Sequence, residues 1–185
     1  MRKVIYLMNV SLDGFVEGPD GKFGWSQPDE EVHRFHNLQA QDMGAFLYGR
    51  RMYETMAGWQ TMEDNLSMPD YILEFARIWK QKPKIVFSTT LKSVGENCRL
   101  ARGDIAAELA NLKHQPGGDL GVSGPSLASA FARLGLIDEY QLVVSPIIVG
   151  SGKPYFPALN SEIRLRLVET RTFQAGAVYL RYLRV

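Results

Sequence analysis

Three apolar runs, at 45–48, 84–87 and 120–122, each stop at glycine or serine: Gly49, Ser88, and the turn Gly121-Val122-Ser123-Gly124. Short strands without polar alternation need cover on both faces, which a parallel sheet between helix layers supplies. After the third run Pro125 suits a first helical turn, where its missing N–H costs nothing. Leu127, Phe131 and Leu134 then recur at helical spacing, and Gly135 is placed to end that helix. Strand, glycine turn and helix start together offer free backbone N–H groups and the positive end of a helix dipole. Such an arrangement is either a phosphate or pyrophosphate site or a plain tight βα turn.

The rest of the chain alternates in the same way. Residues 4–10 read as a buried strand closed by Ser11-Leu12-Asp13-Gly14. A loop punctuated by Gly14, Gly18, Gly21 and Gly24 leads to Trp25, and its length marks it as functional or poorly ordered. Ser26 or Asp29 caps a helix carrying Val32, Phe35 and Leu38 that ends near Met43-Gly44. Arg50 and Arg51 stand on the first turn of a short helix reaching Met56; 57–69 read as loop, and a further helix runs from Pro69 through Trp79. A weak strand near Cys98-Arg99-Leu100 precedes a helix capped by Asp104. Residues 140–149 form an apolar strand broken by Pro146. Ile163, Leu165 and Leu167 alternate with arginines, and Gln174-Ala175-Gly176 turns that strand back into a final one. This order predicts one domain over residues 1–185, a three-layer α/β/α fold whose mixed sheet is mostly parallel and ends in an antiparallel C-terminal hairpin.

Composition narrows the function. A formal net charge of +1 gives no bulk attraction to nucleic acid or to anionic membranes. Cys98 is the single cysteine, which excludes an internal disulfide and a multi-cysteine metal site. No apolar run approaches membrane-spanning length and no signal-peptide pattern opens the chain, so a cytoplasmic protein is expected. Among local motifs, 150–154 departs from a phosphate loop at Ile147 and Pro154, and Ser123 lacks the second glycine of a hydrolase elbow. His33 and His36 are three apart on a helix with no third ligand in view, so they read as solvated residues and no metal is expected. Trp59 and Trp79 read as packing residues, and Trp25 as a candidate for stacking on a substrate.

In open α/β sheets ligands bind past the carboxyl ends of the strands. Gly49, Ser88 and Gly121 all stand there. Arg50 and Arg51 suit phosphates, and the hydroxyls of Ser88, Thr89 and Thr90 suit a ribose or its 2′-phosphate. Taken singly, the arginines also fit a solvated helix end, and 88–90 a simple turn.

The order of these motifs resembles the dihydrofolate-reductase-like superfamily, in the branch typified by the C-terminal reductase domain of the riboflavin-biosynthesis protein. The likeness is carried by Ser11-Leu12-Asp13-Gly14, Gly49-Arg50, Ile85-Val86-Phe87-Ser88 and Val122-Ser123-Gly124-Pro125-Ser126. Gly135-Leu136-Ile137-Asp138-Glu139-Tyr140 and the segment from Val144 to Gly152, with Pro154 and Phe156, extend it over nearly the whole chain. The resemblance implies NADPH as hydride donor to a small heterocyclic substrate. Gly49, Arg50 and Arg51 would approach the cofactor phosphates and adenosine end, and Ser88 and Thr89 the adenosine ribose or 2′-phosphate. Gly121, Ser123, Gly124, Pro125 and Ser126 would cradle the pyrophosphate and nicotinamide side. Asp13 and Trp25, on the loop after the first strand, would stand near the reacting atoms, Asp13 either as a catalytic group or as the cap of its own turn. A homodimer is implied too, through the strand near 142–148 or the terminal hairpin.

The candidate helix carboxylates, Glu30, Glu31 and Asp42, do not match the position that holds a pteridine in dihydrofolate reductases. The loop 57–69 has no Lys or Arg for a substrate phosphate, although Lys153 could reach from another loop. True dihydrofolate reductase and a non-catalytic nucleotide-binding module stay open as alternatives.

Overall fold

A computed structural model of the chain describes residues 1–65, 67–159 and 161–185. Strand β1 (Val4–Ser11) is followed by β2 (Phe15–Glu17), α1 (Glu30–Asp42), β3 (Ala45–Gly49) and α2 (Arg50–Met56). Then come α3 (Trp59–Met62), α4 (Asp70–Gln81), β4 (Lys84–Phe87), β5 (Cys98–Ala101) and α5 (Ile105–His114). The remaining elements are β6 (Leu120–Ser123), α6 (Pro125–Arg133), β7 (Glu139–Ser145), β8 (Lys153–Pro154), β9 (Leu165–Thr172) and β10 (Val178–Arg184).

Eight strands form one sheet in the order β5-β4-β3-β6-β1-β7-β10-β9. Every pair from β5 to β7 is parallel, and β10 and β9 add antiparallel at the far edge. Side-chain alternation along β1 and β3 divides the core between two faces. Val4, Tyr6 and Leu47 pack with Leu109 and Leu112 of α5 and Phe131 of α6. Ile5, Phe46 and Tyr48 point the other way, onto Ala40 of α1 and Ile78 and Trp79 of α4. Both sheet faces are therefore covered, as uniformly apolar strands require.

Capping follows the local chemistry. The Val32 N–H donates to Asp29 Oδ1 at 2.9 Å, and the Ala107 N–H to Asp104 Oδ1 at 2.8 Å. β7 stops at Ser145 because Pro146 has no N–H to offer a ladder.

Three expectations need revision. The stretch 57–69 contains the single helical turn α3, and the glycine-punctuated loop contains β2, which pairs antiparallel with β8. Gly152 makes that pairing possible: its φ is +144°, and a Cβ there would lie 1.9 Å from the Glu17 carbonyl oxygen. Strands this short carry no readable alternation. The stretch 142–148 also offers no route to edge pairing, because β7 is hydrogen-bonded to β1 on one side and β10 on the other. The outer edge is β9, where Leu167 and Val168 are exposed. Among the described residues no helix is long and apolar enough to cross a membrane.

Candidate active site

The carboxyl ends of β3, β4 and β6 lie side by side, Gly49 opposite Phe87 and Tyr48 opposite Ser123. Past them opens a cleft of about 390 Å³ between the starts of α2 and α6. Gly49, Arg50 and Arg51 form one wall, and Gly124, Pro125 and Ser126 the other. Gly124 has φ +92°, and a Cβ there would stand 2.9 Å from Met52 Cβ, so glycine is what allows the two walls to approach. The helical ladder of α6 begins with the Ala128 N–H donating to the Gly124 carbonyl at 3.2 Å. The N–H groups of Ser126 and Leu127 stand before that ladder, at the positive end of the dipole. The charged lining is Arg50, Arg51 and Lys153 against Glu17, three cations to one carboxylate. This lining favours an anionic group such as a phosphate.

Arg50 leads from the cleft toward the β4–β5 connection. Its Nη1 donates to Thr90 Oγ1 at 3.3 Å, and Ser88 Oγ accepts from the N–H groups of Thr90 and Leu91 at 3.2 and 3.1 Å. The arginine thus reaches Thr90, next to Ser88 and Thr89 in the chain, and neither Ser88 nor Thr89 lines the cleft.

A second cleft, of about 480 Å³, opens from the first and shares Met8, Asn9, Phe23, Met52, Thr55 and Met56 with it. Gly121 and Ser123 belong to this second space. Its walls are largely aromatic and thioether, with Trp59 and Phe75 packed edge to face at 4.7 Å between centroids. Its polar groups include Asn9 of β1, His33, His36 and Gln39 of α1, Thr55 of α2 and Ser123 of β6. His36 Nε2 lies 2.8 Å from Asn9 Oδ1, while Asn9 Nδ2 donates to the Ser26 carbonyl at 3.1 Å. A carbonyl only accepts, so the amide N–H must face Ser26, Oδ1 must face the ring, and His36 Nε2 must carry the proton. Nδ1 is left as an acceptor. Burial, with the neighbouring His33, lowers the His36 pKa to about 4, and burial lowers that of His33 as well. Both rings are thus neutral near pH 7.

The two histidines are not solvated, contrary to the sequence reading. They share a stripe of α1 with Ala40, and His33 is packed among Tyr71, Phe75 and Trp59. The missed signal was a second helical stripe, 33-36-40, beside the apolar one at 32 and 35.

Asp13 and Trp25 line neither cleft. Ser11 Oγ donates to Asp13 Oδ1 at 2.7 Å, as does the Val149 N–H at 3.1 Å, while the Gly150 N–H donates to Oδ2 at 2.7 Å. These bonds, the serine's foremost, lower its pKa to about 2 and spend the carboxylate on tying the first turn to the segment after β7. Trp25 sits half-buried in a short 3-10 turn, Gly24–Ser26, whose neighbours Phe23 and Ser26 reach the clefts instead.

Residues 2–179 match the family model for the RibD C-terminal domain. Uncharacterized protein YyaP of Bacillus subtilis (strain 168) is 33% identical over 182 residues, covering 98% of this chain and 94% of that protein. A putative riboflavin biosynthesis protein from Shewanella sp. PV-4 superposes with a TM-score of 0.79 over 99% of both chains, at 21% identity. A dihydrofolate reductase from Enterococcus faecalis, solved with NADP(H) and RAB-propyl, superposes with a TM-score of 0.63 at 12% identity, over 98% of this chain and 96% of that one. With two clefts meeting at the sheet's carboxyl edge and a model match across nearly its whole length, the chain belongs to the RibD C-terminal domain family and has the dihydrofolate-reductase-like fold.

Proposed function

We propose that the protein is an NADPH-dependent reductase that delivers hydride to a small heterocyclic compound. One observation carries this reading: a cationic cleft with a free helix start runs directly into a neutral aromatic one. The family match and the fold shared with an NADP(H)-bound dihydrofolate reductase support it.

The coenzyme supplies the hydride, and the chain supplies position and electrostatics. The N–H groups of Ser126 and Leu127 and the dipole of α6 receive the pyrophosphate, and Gly49 and Gly124 allow its close approach. Arg50 and Arg51 grip phosphate, with Ser88 and Thr89 beside them for the ribose end. Gly121 and Ser123 bound the nicotinamide side, where the clefts join. Asn9 and Thr55 are the polar side chains common to both spaces, and they orient whatever ring lies across the junction. The same reading has the protein working in the cytoplasm as a homodimer joined through the β9 edge; sedimentation as a monomer at micromolar concentration would remove the dimer.

Titration calorimetry with NADPH, followed by loss of NADPH absorbance with candidate pteridines and pyrimidines, tests the reading. Binding with turnover supports it. Tight binding without turnover on any substrate would make the chain a nucleotide-binding module, and no heat with NADPH would end the assignment.

A further inference from the structure

The second cleft has a property that neither the family match nor the fold supplies. Its 22 wall residues include no Asp, Glu, Lys or Arg among those described. Five aromatic residues and five methionines are among them, and the groups able to hydrogen-bond are neutral. Arg50, Arg51, Lys153 and Glu17 line the other space, while Glu74 and Arg34, whose charges reach His33, stand outside the wall.

A phosphate or carboxylate lodged here would surrender its hydration and meet no counter-charge, and burying an unpaired anion is prohibitively unfavourable. A flat uncharged ring gains instead from apolar burial and from stacking on Trp59, Phe75 or Phe23. Of the hydrogen-bonding side chains on this wall, His36 has its tautomer fixed by the contacts described above. Because the Ser26 carbonyl and Asn9 fix the Nε2–H tautomer of His36, Nδ1 is an acceptor held by an already ordered partner.

Resting on the reductase reading above, we propose that the substrate is an uncharged heteroaromatic ring bearing an N–H that His36 Nδ1 accepts, with neither phosphate nor carboxylate on the part the cleft encloses. His36 then acts as a specificity residue, and the neutral walls reject anionic analogues. The lowered basicity of both histidines agrees, since a cationic imidazolium would invite an anion.

Three matched probes test this: quinazolinone, its N-methyl derivative lacking the N–H, and a carboxylated quinazolinone. Their affinities are measured by calorimetry on the free protein and on the NADPH-saturated protein, NADPH affinity having been measured separately. Quinazolinone is expected to bind at least about tenfold more tightly than either of the other two. His36→Phe should weaken quinazolinone about tenfold and leave the N-methyl compound unchanged, whereas His36→Gln, which keeps an acceptor, should restore most of the loss. Melting curves establish that both variants are folded, and the probe comparison on the unsubstituted protein stands if either is not. Equal affinity for the carboxylated probe, or an unaltered quinazolinone affinity in His36→Phe, would overturn the proposal while leaving NADPH binding intact. Failure of NADPH to bind would strike the reductase reading alone, because the probe preference is measured independently of it.

Discussion

Asn9 Oδ1 lies 2.8 Å from His36 Nε2, so a central strand and the first helix meet in one polar contact where the two clefts join. Asn9 is a wall of both spaces, and its other amide group is held by the Ser26 carbonyl. The bridge fixes a tautomer without any carboxylate, in a fold where a charged partner on that helix would have been the simpler expectation.

The contact has an acid signature. The His36 pKa falls from 6.5 to about 4 on folding, so between those values the unfolded chain binds more protons than the folded one. Stability is therefore fully present above about pH 6.5, is lost as pH falls toward 4, and declines by up to about 3 kcal/mol from this group. His33 shifts in the same direction and adds to the loss. Urea unfolding at about pH 7 and about pH 5 should show the drop, and His36→Gln should flatten it. Identical pH slopes in the two proteins would refute this origin.

Arg50 and Arg51 flank the cleft that also holds the start of α6. Replacing both with Ala should weaken NADPH at least about tenfold and NADH less, because contact with a 2′-phosphate is charge-assisted. Titrations with both coenzymes decide it. Equal losses would put the 2′-phosphate elsewhere.

Gly124→Ala places a side chain at φ +92° and a Cβ 2.9 Å from Met52 Cβ. The expected outcome is a loss of roughly 1–3 kcal/mol in stability together with weaker NADPH binding, since the two cleft walls must separate. Thermal melting and titration measure both, and an unchanged melting temperature would contradict the packing described here.

Asp13→Asn should lower the melting temperature and make the segment after β7 more open to proteolysis, because the carboxylate holds the N–H groups of Val149 and Gly150. Turnover per folded molecule should stay within about twofold, as for a substitution outside the reacting centre. A hundredfold fall in turnover at an unchanged melting temperature would return Asp13 to the chemistry.

The architecture was legible because its strands are short, apolar and punctuated. Gly49, Ser88 and Gly124 mark carboxyl ends that the sheet brings together, and Asp29 and Asp104 announce their helices by capping chemistry. The walls of the cationic cleft were legible for the same reason: they are built from chain turns, which leave local signals. The other cleft is built from β1, α1, β3, α2, α3, α4 and β6, which meet only through tertiary packing. His33 and His36 looked like solvent-facing residues because their stripe on α1 is not apolar, and the Trp59 and Phe75 that pack on His33 come from distant elements. Asp13 follows β1 where a reacting group would stand, but beside the local Ser11 it is held by N–H groups 136 and 137 residues away, which the sequence does not announce.

Met8, Asn9, Met52 and Thr55 serve as a party wall between two chambers, so the tenants are not independent. Whatever free energy one occupant gains or loses by shifting that partition is felt by the other, and reciprocity makes the factor the same in both directions. A ligand constant measured on the empty protein therefore describes a different cavity from the one that meets its second guest.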